Sequence, residues 1–172
     1  LGDVRLRGEL SLSSANSINI GRLLPQMSYY FEAAEKLRWK YGRSEKPIIV
    51  VPSGNFGNLT AGFFAKKIGL PSELMVAAVN VNSGIPGYLA TKSLVVSKTV
   101  PTLSNAMDVG NPSNWGRIVD HFGGDPAKIA NSLKAIAVTD RETEATIFSI
   151  HEKYGYFVDP RIRRNFGKRL KG

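Results

Sequence analysis

The chain has 172 residues, of which 42% are hydrophobic, which predicts one domain with a substantial core; no apolar run is long enough to span a bilayer. Cysteine is absent, which excludes disulfides, zinc–thiolate sites and cysteine nucleophiles and favours a cytoplasmic location. The net charge is +9, but the last twelve residues hold six cations and no acid, so the remainder is mildly basic and nucleic-acid binding is not expected.

The first part of the chain predicts a polar stretch followed by a long helix. Residues 1–13 are weakly patterned and favour a strand and a turn. Residues 13–20 are dense in serine and asparagine, which favour turns and helix caps; they could instead form the polar wall of a ligand site, with Arg22 holding an anion. Apolar residues then recur at helical spacing from about Gly21 to Tyr41, and Gly42 ends this helix.

A strand–helix–strand unit follows. Residues 48–51 and 74–79 are short apolar runs that predict buried strands, and residues 59–69 predict the helix between them. Short connections make this a parallel pair with a right-handed crossover. Ligands bind beyond the carboxyl ends of such strands, so the polar loops 52–58 and 80–84 are expected to face one crevice.

The loop at 52–58 carries the clearest functional signal. Glycine and asparagine accept unusual backbone angles and leave amide groups uncovered, and a strand that turns through them into a helix N-terminus makes an anion site. The glycine spacing lacks the dinucleotide fingerprint, and no Gly-Lys-Ser/Thr follows. Spacing alone leaves open both phosphate binding and an ordinary tight turn.

The second part of the chain alternates polar loops with short elements. A short helix is predicted around 88–91, and a polar segment at 102–115 leads into a helix at about 112–122, capped by Asn111 or Ser113. A helix at 125–131 and a strand at 133–138 come next. Thr139 and Glu142 form a capping box ahead of a helix at 143–154.

Catalytic side-chain patterns are absent from the sequence. His121 and His151 lie in predicted helices, neither pairs with a carboxylate at a metal-ligand spacing, and each is expected to have a surface or packing role. No serine has a nucleophile-elbow context, and the acidic residues show no catalytic pairing. The residues therefore predict binding without visible catalysis.

Several motifs resemble threonine synthase of the microbial and fungal type. The match rests on SANSINIGR (14–22), PSGNFGNLTAG (52–62) and SNAMDV (104–109), and GLP (69–71), NVN (80–82) and GNPSNW (110–115) extend it in the same order. The resemblance implies an α/β fold in which a parallel sheet with flanking helices forms part of a PLP fold-type-II, tryptophan synthase β-like scaffold. Residues 1–160 would then be a partial catalytic domain and 161–172 a basic tail foreign to the family.

The resemblance also implies an activity, a cofactor and a site. The family uses pyridoxal 5′-phosphate (PLP) to convert O-phosphohomoserine and water into threonine and phosphate. Asn105 and Asp108 belong to the signature without an assigned role. The residues implied to hold the cofactor phosphate are Ser53, Gly54, Asn55, Phe56, Gly57 and Asn58, and those implied to lie near the substrate phosphate or carboxylate are Ser17, Asn19 and Arg22.

Some features depart from the family pattern. The Schiff-base lysine of the family lies upstream of these motifs and no lysine here stands in its motif, so the chain is expected to be an internal or C-terminal fragment without turnover. Leu1 is not an initiator methionine, which fits a piece of a longer protein. Ser83 stands where the family often has aspartate.

The abrupt change of composition after Pro160 suggests a frameshift or a broken reading frame. The same codons in an intact full-length gene would contradict this hypothesis. Two alternative functions remain open from the sequence: another fold-type-II lyase such as a serine or threonine dehydratase, and a non-catalytic phosphate- or nucleic-acid-binding module.

Overall fold

A computed structural model describes residues 3–10, 16–42, 46–96 and 98–160 of the protein. Short 3-10 turns occupy Ile20–Arg22 and Asn105–Met107. The strands are β1 (Ile48–Pro52), β2 (Leu74–Val79) and β3 (Leu133–Ala137). The helices are α1 (Val4–Glu9), α2 (Leu23–Tyr41), α3 (Gly57–Lys67), α4 (Ile85–Thr91), α5 (Trp115–His121), α6 (Pro126–Ser132) and α7 (Asp140–Tyr154).

The three strands form one parallel sheet in the order β1–β2–β3. Val50 pairs with Val76 and Ala77 pairs with Ala135, so the carboxyl ends of the strands lie at one edge. The central strand β2 is buried over most of its length, because both of its neighbours and both faces cover it. The predicted parallel sheet with flanking helices is confirmed.

The core lies between the sheet and α3, and α2 packs against α3. Leu59 and Phe63 of α3 are fully buried with Met75 of β2. Gly62 makes the packing possible, since a Cβ there would lie 2.4 Å from the Met75 Cε atom and 2.9 Å from the Tyr30 ring. This close approach fixes the direction in which α3 leaves the end of β1.

The N-terminal prediction of a strand and a turn is wrong over residues 4–9, which form α1. The Asp3 side chain accepts hydrogen bonds from the backbone N–H groups of Arg5 and Leu6, and so caps a helix that its weak pattern does not reveal. Residues 1–2 and 11–13 of the predicted segment lie outside the described residues, as does the tail at 161–172.

The other helices agree with their predicted positions to within a few residues. The capping box of Thr139 and Glu142 is confirmed at the start of α7, and Gly42 ends α2 in the left-handed conformation, with φ of +59°. Within the described ranges, no helix is both long enough and apolar enough to cross a membrane.

Candidate anion-binding site

The loop that joins β1 to α3 is anchored at its first residue, Ser53. The Ser53 N–H donates to the Ala78 carbonyl at 2.8 Å, which extends the pairing of β1 and β2 by one residue. The buried Ser53 hydroxyl donates to the Val51 carbonyl at 3.0 Å. The Ser53 side chain is therefore part of the backbone framework, and its N–H is already used.

Gly54 is required by the turn at Asn105–Met107. A Cβ atom at Gly54 would lie 2.8 Å from the Met107 Cα atom, a distance that only a shift of one backbone could relieve. The main chain of a distant segment thus lies directly on the loop. Glycine is the residue that allows this approach.

Phe56 adopts an unusual conformation immediately before α3. Its φ angle is +60°, in the left-handed region that favours glycine, and its ring is 1% exposed and packs edge-to-face on Trp115 at 5.8 Å. Burial of the ring stabilises the strained backbone. The Phe56 carbonyl accepts from the Thr60 N–H and hydroxyl, at 2.9 and 2.7 Å, so α3 begins at Gly57.

The amide groups of this loop are left open. From residue 54 to residue 59, the backbone N–H groups have no hydrogen-bond acceptor among the described residues, and no side chain caps α3. The first N–H groups of a helix point out of its N-terminus, where the helix dipole favours negative charge. This arrangement is suited to a phosphate group.

The Asn55 side chain ties two remote segments to the loop. Its Nδ2 group donates to the Ser17 hydroxyl, and its Oδ1 atom accepts from the N–H and the hydroxyl of Ser113, at 2.6 and 2.9 Å. Its amide side chain is therefore committed to structure, while its backbone N–H stays open.

Asn114 and Arg117 complete this arrangement. The fully buried Asn114 donates through Nδ2 to the carbonyls of Ser17 and Asn55, each at 2.9 Å, and its Oδ1 atom accepts from Arg117. Arg117 also donates to the Ile18 carbonyl at 2.6 Å. Ser17 and Ile18 are thereby fixed beside the loop.

The predicted cap of α5 is wrong. The N-cap is Asn114, not Asn111 or Ser113, and no side chain caps the helix there, because Ser113 turns toward Asn55 instead. Sequence reasoning missed Ser113, Asn114 and Arg117 as parts of the site. The signal for Ser113 and Asn114 was their position in the shared motif at 110–115, whereas Arg117 lies outside the motifs and had no such signal.

The three residues implied to contact substrate are placed differently. Ser17 lies at the loop, through the contacts described above. Asn19 caps the turn that follows it, since its Oδ1 atom accepts from the Gly21 N–H at 2.9 Å, and Arg22 is exposed at the end of that turn. The structure thus joins Ser17 to the loop, and substrate contacts by all three remain predictions.

Asn58 links the loop to α2. Its Oδ1 atom accepts from the Tyr30 hydroxyl at 2.6 Å, and its Nδ2 group donates to Gln26 Oε1 at 3.0 Å. Burial raises the pKa of Tyr30 above its usual value, so the phenol stays a neutral donor. The side chain of Asn58 is structural, and only its N–H is open to a ligand.

A second group of polar residues, here named the Asp108 cluster, lies at the end of β2 and comprises Asn80, Asn82, Thr102 and Asp108. Asp108 Oδ1 accepts from Asn80 Nδ2 at 2.6 Å, from Asn82 Nδ2 at 2.9 Å and from the Thr102 hydroxyl at 2.7 Å. Asp108 Oδ2 accepts from the Thr102 N–H at 3.0 Å. The carboxylate therefore fastens residues 100–108 to the sheet, a role that the sequence alone left unassigned.

Ser83 and the histidines have local roles. The Ser83 hydroxyl accepts from the Ile85 N–H at 3.3 Å, where α4 begins. His121 packs on the Phe122 ring at 4.8 Å, with a pKa lowered by burial, and His151 stacks on Phe157 at 4.0 Å, in line with the expected surface or packing role. The described residues contain no group of three or more candidate metal ligands.

The chain is similar to curated threonine synthases. It is 45% identical over 161 residues to threonine synthase of Haemophilus influenzae, which covers 92% of the chain and 36% of that protein. It is 43% identical over 158 residues to the Escherichia coli protein, with the same coverage. The chain thus spans about a third of the length of these relatives. No protein-family model matches it.

Solved structures show the same relationship. A PLP-bound threonine synthase from Brucella melitensis superposes with a TM-score of 0.84 at 32% identity, over 94% of the chain and 39% of that structure. Escherichia coli threonine synthase gives 0.82 at 40% identity, over 96% and 39%. A fungal L-serine ammonia-lyase from Rhizomucor miehei gives 0.62 at 12% identity, over 83% and 42%, and shares the fold alone.

These results place the fold among PLP fold-type-II scaffolds, of which this chain forms one segment. Within this class, the sequence identity to threonine synthases, which includes the motifs that contain the glycine- and asparagine-rich loop and Asp108, indicates one family. The chain belongs to the threonine synthase family.

Proposed function

We propose that the loop at 53–58 binds the phosphate of PLP in a threonine synthase. The observation that carries the proposal is the run of open N–H groups from Gly54 to Asn58, at the N-terminus of α3. The Brucella melitensis relative is a PLP-bound threonine synthase, and the chain belongs to its family.

The residues present fit a phosphate group. The loop contains no acidic side chain that would repel an anion. The side chains of Ser53, Asn55 and Asn58 are engaged with protein atoms, so they hold the backbone amides in place instead of competing for the ligand. When bound, PLP supplies an electron sink for the chemistry of the amino-acid substrate.

The proposal extends to the reaction of the full-length protein. It would convert O-phosphohomoserine and water into threonine and phosphate in the cytoplasm, with residues 1–160 as part of the catalytic domain. Ser17, Asn19 and Arg22 would contact the substrate phosphate or carboxylate, for which the fork of a guanidinium is well suited. The lysine that presents the cofactor would come from outside these 172 residues.

A titration of the chain with PLP tests the binding site, with Gly57→Ala as the variant. A Cβ at Gly57 would lie 3.5 Å from Asn114 Nδ2, an ordinary contact, so the fold tolerates the methyl group. The methyl would be attached to the Cα atom between the open N–H groups of residues 57 and 58, and the affinity should fall about tenfold or more, because a displaced ligand loses charge-assisted hydrogen bonds. Inorganic phosphate should compete with PLP.

The matched control is Gly116→Ala, since Gly116 lies in the first turn of α5 and a Cβ there has nothing within 4 Å. Equal PLP affinities for wild type and Gly57→Ala, or PLP binding that inorganic phosphate does not inhibit, would contradict the proposed site. The activity is tested separately, by supplying the rest of a threonine synthase and measuring threonine from O-phosphohomoserine. A complete enzyme that instead acted on serine or threonine would favour a dehydratase.

A further inference from the structure

The Asp108 cluster is more heavily bonded than a loop anchor requires. One carboxylate accepts four hydrogen bonds from neutral donors, three to Oδ1 and one to Oδ2. Asn82 adds two bonds to the same segment, donating to the Val100 carbonyl at 2.8 Å and accepting from the Val100 N–H at 2.7 Å. The path of residues 100–108 is therefore set from both ends.

This path brings the chain onto the anion-binding loop. The turn at Asn105–Met107 ends immediately before Asp108, and the Asp108 N–H donates to the Asn105 carbonyl at 3.0 Å. The Met107 Cα atom then lies only 2.8 Å from the position that a Cβ atom at Gly54 would occupy. The anchored Asp108 directly follows Met107, whose Cα atom touches the loop.

We propose that Asp108 is a positioning residue for the phosphate group: it holds the Met107 main chain against Gly54 and thereby fixes the open amides of loop 53–58. The inference rests on the proposed function of that loop. A carboxylate suits this task because it is acceptor-only, so donors from three residues can meet on it without mismatch.

The central variant is Asp108→Asn, which keeps the shape but replaces one acceptor oxygen with a donor. At least one of the four hydrogen bonds is lost and a donor faces a donor, so the turn is released. The control is Asp140→Asn. Asp140 Oδ2 accepts from the Leu103 N–H at 3.2 Å, so this variant removes a charge beside the same segment, and asparagine can keep that bond.

A double-mutant cycle with Gly54→Ala measures the coupling. In the wild-type background the added methyl collides with Met107, and the folding equilibrium constant should fall about thirtyfold, as for overpacking. In the Asp108→Asn background Met107 can move away, and the fall should be about threefold or less. Additive effects would overturn the inference.

Two further measurements separate positioning from simple stability. The amide NMR signals of Gly54 and Gly57 should shift in Asp108→Asn and stay in place in Asp140→Asn. The affinity of the folded protein for PLP should fall about tenfold in Asp108→Asn and remain unchanged in Asp140→Asn, an effect that loss of stability alone would not produce. Unchanged glycine signals in Asp108→Asn would overturn the inference.

If Asp108→Asn does not fold, Thr102→Val replaces it. That variant removes the hydroxyl that donates to Asp108 and accepts from Asn80 Nδ2 and the Ser104 N–H, but it keeps the bond from the Thr102 N–H to Asp108. It should give the same changes, with PLP affinity falling about threefold. A wild-type chain that binds no PLP would defeat the proposed function, while the cycle and the amide signals would still decide the coupling. If all variants bound PLP equally and the stability effects at positions 54 and 108 were additive, the inference would be contradicted but the proposed function would not.

Discussion

Two polar loops leave neighbouring strands at the same edge of the sheet, yet their hydrogen-bonding groups are used differently. At the end of β2, Asn80 and Asn82 are buried and bonded within the Asp108 cluster. At the end of β1, side chains are bonded but the N–H groups of residues 54–59 have no acceptor in the described part of the chain. A closed network holds the fold together, whereas the open donors beside it are available to bind a ligand.

The closed loop should be the more sensitive of the two in stability. Asn80→Ala removes donors to Asp108 and Thr102 and the acceptor of the Asn82 N–H, so the free energy of unfolding should fall by about 3 kcal/mol. Urea unfolding followed by circular dichroism measures this. Ser83→Ala, which loses one long bond to Ile85, is the control. An equal loss of stability in both variants would contradict a special role for the buried network at the end of β2.

A smaller effect is expected where the open loop is held from outside. Asn114→Ala removes two bonds to the carbonyls of Ser17 and Asn55 and the acceptor of one bond from Arg117, and should lower the free energy of unfolding by about 2 kcal/mol. Trypsin should then cleave faster after Arg22, because the segment before it is released. Asn111→Ala, at an exposed position nearby, should leave cleavage unchanged. Slow cleavage in both variants would show that Asn114 does not hold this segment.

The link from the open loop to α2 gives a pH-dependent effect. Tyr30→Phe removes the hydroxyl that donates to Asn58 and should cost about 1 kcal/mol near pH 7. The pKa of Tyr30 is raised by burial, so the folded protein holds this proton more tightly than the unfolded chain. Its contribution is complete below the ordinary tyrosine pKa of about 10 and is lost as the pH rises above it.

The measurement for this pair is urea unfolding from pH 8 to pH 11.5, in steps of about half a pH unit around the tyrosine pKa of about 10. Wild type should lose stability more steeply than Tyr30→Phe above that pH. Tyr29→Phe, which alters an exposed ring on the same helix, should follow wild type. Parallel curves for wild type and Tyr30→Phe would rule out the buried phenol as the cause.

The smallest change in stability is expected at the rim of the open loop. Ser113→Ala loses one hydroxyl bond to Asn55 at an exposed position, while the Ser113 N–H still donates to Asn55 Oδ1. The free energy of unfolding should therefore change by less than about 0.5 kcal/mol. PLP affinity should nevertheless fall about threefold, since Asn55 is less firmly oriented. A loss of stability without a loss of affinity would assign Ser113 to the fold instead of the site.

Local patterns were enough to predict the elements that form the site. The apolar runs at 48–51 and 74–79 and the Thr139–Glu142 box predicted β1, β2 and the start of α7, because burial and capping act between residues near each other in sequence. The same is true of the turn of β1 into a helix N-terminus. Resemblance to threonine synthase added the family, which the comparisons support.

The parts that could not be predicted depend on residues far apart. The bond from Asn114 to Ser17 spans 97 positions in the sequence. The approach of Met107 to Gly54 joins the loop after β1 to the segment that is held at the end of β2. No spacing rule reveals such pairs. The left-handed backbone of Phe56 is likewise set by burial of its ring, and a phenylalanine at that position gives no sign of it in the sequence.

The order of the strands in space is the same as their order along the chain. During synthesis, β1, α3 and β2 can therefore assemble while the ribosome is still translating later segments, and β3 adds to an edge that already exists. Met107 and Asn114, which shape the anion-binding loop, come after this first unit. A nascent chain can therefore form the β1–β2 pair before Met107 and Asn114, which give the loop after β1 its final shape, have been synthesised.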